Sequence, residues 1–183
     1  MNRSSCIALM AVAGLGLGGV LNVAGAGTDQ MVADANKSIA VATSAVEAAR
    51  VAIENGKQLL ATIPEDSPML SEVAEMLPAV KDNWTLAVSA LEGAKESASK
   101  ISSASTPEIA QDYKLLATVN AGVALSGATV VQTGMLFVDA VAQNKSEALD
   151  IIRVAMQDSL AATSQVQFNY ENVKTLIAAK YSK

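Results

Sequence analysis

The sequence predicts an all-α protein, an antiparallel up-down-up-down four-helix bundle with helices of about 35 residues each. Three observations carry this. Apolar residues recur at alternating three- and four-residue spacing over whole helix lengths. Three short Pro/Ser/Asn-bearing segments interrupt them at similar intervals. The composition is 51% hydrophobic yet only 3% aromatic, so alanine, valine and leucine must form a finely packed core. Alanine is also the best helix former, which favours helices over strands.

Residues 1–26 read as a secretory signal peptide. Met1-Asn2-Arg3 is a short positive start, Cys6 to Val23 is an apolar glycine-rich run, and Ala24-Gly25-Ala26 is a small-x-small cleavage pattern. Cleavage near Ala26 leaves residues 27–183 as one domain and implies export to a periplasmic or extracellular compartment. Cys6 stands at the start of the apolar run, the wrong place for a lipid-modified cysteine. No cysteine remains after cleavage, so the exported domain must be held by its core without disulfides. The net charge is −5, and −6 once Arg3 is removed. That sign argues against nucleic acid and against docking on anionic lipid.

The first helix is predicted over 28–61. Val32, Ile39, Val46, Ile53 and Leu60 form one row of sevens, and Ala35, Ala42, Ala49 and Gly56 form the alternate row. A whole row of small residues implies a neighbour lying very close. Asp34 with Lys37, Glu47 with Arg50 and Glu54 with Lys57 are read as a solvated face. Thr62 to Pro68 is the first turn, with Ser67 or Asp66 capping a second helix over 68–101. The second stripe runs Leu70, Val73, Leu77, Val80, Trp84, Ala87, Leu91, Ala94, Ala98, Ile101. Its phase continues through Pro78, which predicts a bend and not a break. Trp84 lies on the stripe and reads as a core anchor.

Thr106-Pro107-Glu108 opens a third helix over 107–142. Within it, Leu115 to Val138 is a run of 24 residues with no charge. Its length suits a membrane span, but Thr118, Asn120, Ser126, Thr129, Gln132 and Thr133 are poor choices for lipid. Ile109, Leu116, Val123, Val130 and Phe137 form a large row, and Asn120, Gly127 and Gly134 a small one. This order favours a helix pressed against neighbours, with backbones approaching at Gly127 and Gly134. Asn144-Lys145-Ser146-Glu147 is read as the cap of a fourth helix over 146–181. Its stripe is Leu149, Ile152, Met156, Leu160, Thr163, Val166, Tyr170, Val173 and Ile177. Helices of this length are about 50 Å long.

The absences bear most directly on function. There is no histidine, and the exported domain has no cysteine. This removes histidine-based metal and haem ligation, the Ser-His-Asp triad, di-iron bundles of the Glu-x-x-His kind and thiol chemistry. Gly14, Gly16 and Gly19 spell a nucleotide-loop pattern, but with no strand before it. Ser97 to Lys100 spells S-x-x-K without the partner motifs of a serine acylase. Asp34, Asn36 and Ser38 start like a calcium loop, yet Ile39 replaces the turn glycine. Asn36, Asn83 and Asn144 open glycosylation sequons that matter only in a eukaryotic secretory pathway. The dispersed methionines read as core filling.

The expectation is therefore a non-enzymatic exported protein without cofactor or metal. An outward face of the third helix carrying Thr118, Ala121, Ala128 and Gln132 would be uncharged, a surface suited to a second copy of the chain or to another envelope or extracellular protein. Two rival readings are insertion of residues 115–138 into a membrane, and an apolar ligand held in the bundle near Trp84 or Phe137.

Overall fold

The computed structural model describes residues 27–182, and the predicted signal segment lies outside them. Four helices account for nearly all of the described chain: α1 (Thr28–Leu60), α2 (Leu70–Ser99), α3 (Pro107–Ala142) and α4 (Ser146–Tyr181). The bundle is all-α, with no strand among the described residues. Like ends of α1 and α3 meet, since Asp34 pairs with Lys114 and Gly56 lies against Met135. Gly93 lies against Asn120 and Gly134 against Val80, so α2 runs opposite to α3. Gly122 meets Val166 and Gly134 meets Met156, so α4 opposes α3 too.

The helices do not form a square. α3 is a hub: α1, α2 and α4 all pack on it, α1 and α2 touch each other far less, and α4 has almost no other neighbour. This explains the uncharged run. Val119, Asn120, Ala121, Val123, Ala124, Gly127, Ala128, Val130 and Val131 are all buried, on every side that a partner covers. The two helices joined by the first turn do touch, but each packs far more extensively on α3.

Small residues set the distances. Ala35, Ala42 and Ala49 are fully buried and Gly56 is buried, while Val32, Ile39, Val46, Ile53 and Leu60 are only half-buried at the flank. The small row, and not the large one, therefore faces α3. Gly127 and Gly134 do the same for α2 against α3, where side chains of Ala87 and Val80 and the Asn83 carbonyl stand close by. Close approach of backbones trades side-chain bulk for many short contacts.

The helix ends follow local chemistry, with two departures from expectation. Thr106 accepts a hydrogen bond from the Ile109 N–H at 3.2 Å and Pro107 follows it, as the capping pattern requires. The second helix, however, begins at Leu70, with Pro68 left in the turn and Ser67 only reaching the Met69 N–H at 3.4 Å. Asn144 does not cap α4. It takes φ 53° and terminates α3, with the Lys145 N–H donating to the Ala140 carbonyl and the Asn144 N–H to that of Val141. This is the left-handed helix stop that asparagine tolerates better than most side chains. Pro78 lies inside an unbroken α2. It is exposed, as is Ala74, so the carbonyl that loses its partner there can meet water.

Ion pairs pin the edges. Arg153 of α4 donates twice to Glu72 of α2, at 2.5 and 2.7 Å, and lies 5.7 Å from the centre of the Phe137 ring. Lys180 reaches Asp112 at 2.8 Å and Glu108 at 2.9 Å, tying the end of α4 to the start of α3. Asp34 does not serve a solvated pair with Lys37. It accepts from Lys114 of α3, whose side chain is 11% exposed. These hydrogen bonds hold Glu72 and Asp34 below the usual carboxylate range. A carboxyl depressed in the folded state stabilises it above the unfolded pKa, about 4, and that contribution is lost as pH falls through the folded value. With no histidine present, the melting temperature is expected to be flat from about pH 5 to 8 and to drop below about pH 4. Circular-dichroism melts across pH check this, and a midpoint near neutrality would contradict it.

Candidate functional site

Three partners around one hub leave a fourth side. Between Leu115 and Leu136 of α3, most partly exposed positions follow 4-3 spacing: Leu115, Thr118, Gly122, Leu125, Thr129 and Gln132, ending at Leu136, which is 46% exposed; Leu116 and Ser126, also partly exposed, lie off this row. That spacing is a single strip along the helix. It lies between α1 and α4, which scarcely touch each other. Gln132 marks the α1 edge by donating from Nε2 to the Ala45 carbonyl at 3.0 Å. Gly122 marks the α4 edge, where Val166 is the neighbour.

The result is a slot with a floor and two walls. Val41, Ala45, Ala48 and Ala52 lie on the α1 face that Ala45 presents, all exposed or half-buried. Ala155, Ala162, Val166 and Val173 share the corresponding face of α4, all half-buried. Neither these residues nor the floor bear a charge. The Asp34–Lys114 pair stands only at one end. The floor's hydroxyls are occupied locally. Thr118 donates to the Lys114 carbonyl at 2.9 Å and Thr129 to that of Leu125 at 3.0 Å. The strip therefore offers little hydrogen bonding and much close-fitting apolar surface.

The expected face of the third helix must be redrawn. Thr118 and Gln132 belong to the open strip. Ala121 and Ala128 do not: they are 3% and 0% exposed, turned into the contact with α1. The missing partners of Thr118 and Gln132 are Gly122, Leu125, Thr129 and Leu136. Absence of charge alone could not separate a covered side from an open one, because the hub helix lacks charge all round. Ala35, Ala42, Ala49, Gly56, Gly127 and Gly134 are all buried.

A second concavity lies between α2 and α4. It is a cleft of about 550 Å³ over Asn120, with Ala90, Gly93, Val123 and Tyr170 in its lining and Glu92, Glu96 and Glu171 around it. Its size suits a small ligand, but carboxylates around an open mouth do not suit an apolar one. Neither Trp84 nor Phe137, the positions expected for such a ligand, lines the cleft. Phe137 is 2% exposed inside the core, and Trp84 packs against the same cluster. Among the described residues no three of Asp, Glu, Cys or His converge to hold a metal ion.

α3 is long and apolar enough to cross a membrane, with mean hydropathy 1.5 over its most apolar window. In this fold 67% of that window is buried against the other helices.

Compared with protein-family models, curated proteins and solved structures, the chain shows no match.

Proposed function

We propose that this is an exported, non-enzymatic structural protein that associates with further copies of itself along the open side of α3. The observation that carries the reading is the uncharged strip from Leu115 to Leu136, left between α1 and α4. A contiguous apolar surface of this kind marks an interaction site more often than a solvated face. Export is supported by the charge, apolar run and small-x-small pattern of residues 1–26. The absence of histidine supports a binding role over a catalytic one.

The apparent mass of the exported chain, residues 27–183, is expected to rise with concentration in light scattering. A mass fixed at one chain over the whole accessible range would refute the reading. Membrane insertion of residues 115–138 is the rival that the hydropathy of α3 favours. It would require α3 to shed α1, α2 and α4, exposing their small-residue faces at once. Flotation with liposomes separates the two: the structural reading expects the protein to stay with the aqueous fraction.

A further inference from the structure

We infer that the slot receives the outer face of α4 from a second copy of this chain, giving a head-to-tail contact. The inference rests on the self-association reading and specifies its surface. Its second observation is independent of the slot. The four most exposed large apolar residues among those described all lie on α4: Leu176 at 71%, Ile151 at 63%, Phe168 at 62% and Val154 at 57%. Val154, Ala161 and Phe168 are seven apart, and Ile151 and Leu176 flank the same outward side. That side is opposite Leu149, Met156 and Thr163, which face α3. One chain thus carries both a recessed uncharged groove and a projecting apolar ridge.

Shape selects the pairing. The floor of the slot is recessed between α1 and α4, so two slots placed face to face would enclose empty space. A single projecting helix can reach it, and α4 projects because it packs on α3 alone. The lengths agree as well. The floor spans about 32 Å and the ridge about 37 Å at 1.5 Å per residue. A helix of about 10 Å diameter sunk to half its girth over about 32 Å covers roughly 500 Å² per partner. Both sides together reach about 1,000 Å², the lower bound for a specific interface, so each contact is weak. Asp158, Gln165 and Asn172 continue the row of sevens that begins at Ile151, so one edge of the outward face is polar and can stay at the mouth of the slot, in water, while Val154, Ala161 and Phe168 face the floor.

Groove and ridge occupy different faces of one molecule. A contact between them is heterologous and leaves a free groove at one end and a free ridge at the other. Copies therefore add in series, into a ring or a filament, and weak single contacts accumulate along it.

The test uses the full chain with Cys6→Ser. One preparation carries Thr129→Cys in the floor, another Phe168→Cys on the ridge. A short bismaleimide is expected to link chains efficiently only when the two are mixed, and to give a ladder when both changes are in one chain. Leu125→Glu and Phe168→Glu are each expected to weaken association at least tenfold in sedimentation, with helicity unchanged. Val51→Glu, on an exposed part of α1, is expected to leave it unaltered. Four results would overturn the inference. One is linking in the Thr129→Cys preparation alone, which means slot against slot. Another is a link within one chain from Cys6, when retained, to the cysteine at 129, which means that the chain's own N-terminal segment fills the slot. The third is association that grows with concentration but ignores both glutamates; that removes this surface while leaving self-association intact. A strictly single-chain mass removes both.

Discussion

Phe137→Ala is expected to lower the melting temperature by about 10–15 °C, the largest loss from any single truncation in this core. The ring is 2% exposed and belongs to the cluster where α1, α2, α3 and α4 meet near one end of the bundle. Truncating a buried phenylalanine costs about 3–5 kcal/mol, because the cavity collapses only in part. Met135, Leu149 and Met156 belong to the same cluster and can lean into the gap, but none replaces the volume of the ring. Arg153 would lose the ring face it rests on, 5.7 Å away, though its two bonds to Glu72 remain. The loss should be uneven. α4 is held almost wholly by α3, so its amides should exchange hydrogen faster than those of α1 in the variant. Leu136→Ala, the next residue but 46% exposed, should cost under about 1 kcal/mol. A Phe137→Ala protein melting within two or three degrees of the parent would show that this junction is not tightly packed.

The rows of sevens made the helices legible. Val32 to Leu60 and Ala35 to Gly56 fix the phase of α1 without any tertiary information, and Thr106-Pro107 marks the start of α3 to the residue. What periodicity does not encode is which row faces which neighbour. In α1 both rows are covered, but unequally: the alanine and glycine row is buried and the large row lies half-buried beside it. Large apolar residues can flank a contact between backbones that only alanine and glycine can line. Asn144 was ambiguous for a similar reason. It lies between two helices, and the residue types that begin one can also end another.

The open strip was half legible. Thr118 and Gln132 were recognisable as uncharged positions on an uncharged helix. Their true neighbours could not be separated from Ala121 and Ala128, because that choice depends on where α1 and α4 sit around α3. The signal available was the 4-3 alternation Leu115-Thr118-Gly122-Leu125-Thr129-Gln132, with threonine, glycine and glutamine among the leucines. Every other side of α3 is richer in alanine and valine. A composition shift of that size is real but small, and it becomes decisive only once burial is known.

Two glycines of α3 should respond in opposite directions, because one helix faces both a packed neighbour and an open slot. A Cβ at Gly127 would stand 2.9 Å from the Asn83 carbonyl oxygen and 3.3 Å from the Ala87 Cβ. The carbonyl is backbone inside α2 and cannot turn aside, so α2 and α3 would have to separate along their length. Gly127→Val is therefore expected to cost about 3 kcal/mol or more, at the upper end for an overpacked core. A Cβ at Gly122 would meet only the Val166 Cγ1 at 3.6 Å, an ordinary contact. There the removal of a flexible glycine from mid-helix dominates, and Gly122→Ala is expected to gain about 0.5–1 kcal/mol. In thermal melts the two variants should differ by about 10–15 °C, one below the parent and one slightly above. Equal effects at the two positions would mean that α3 is covered alike on both sides. The hub would then have no open face, and neither a slot nor a docked α4 could be built on it.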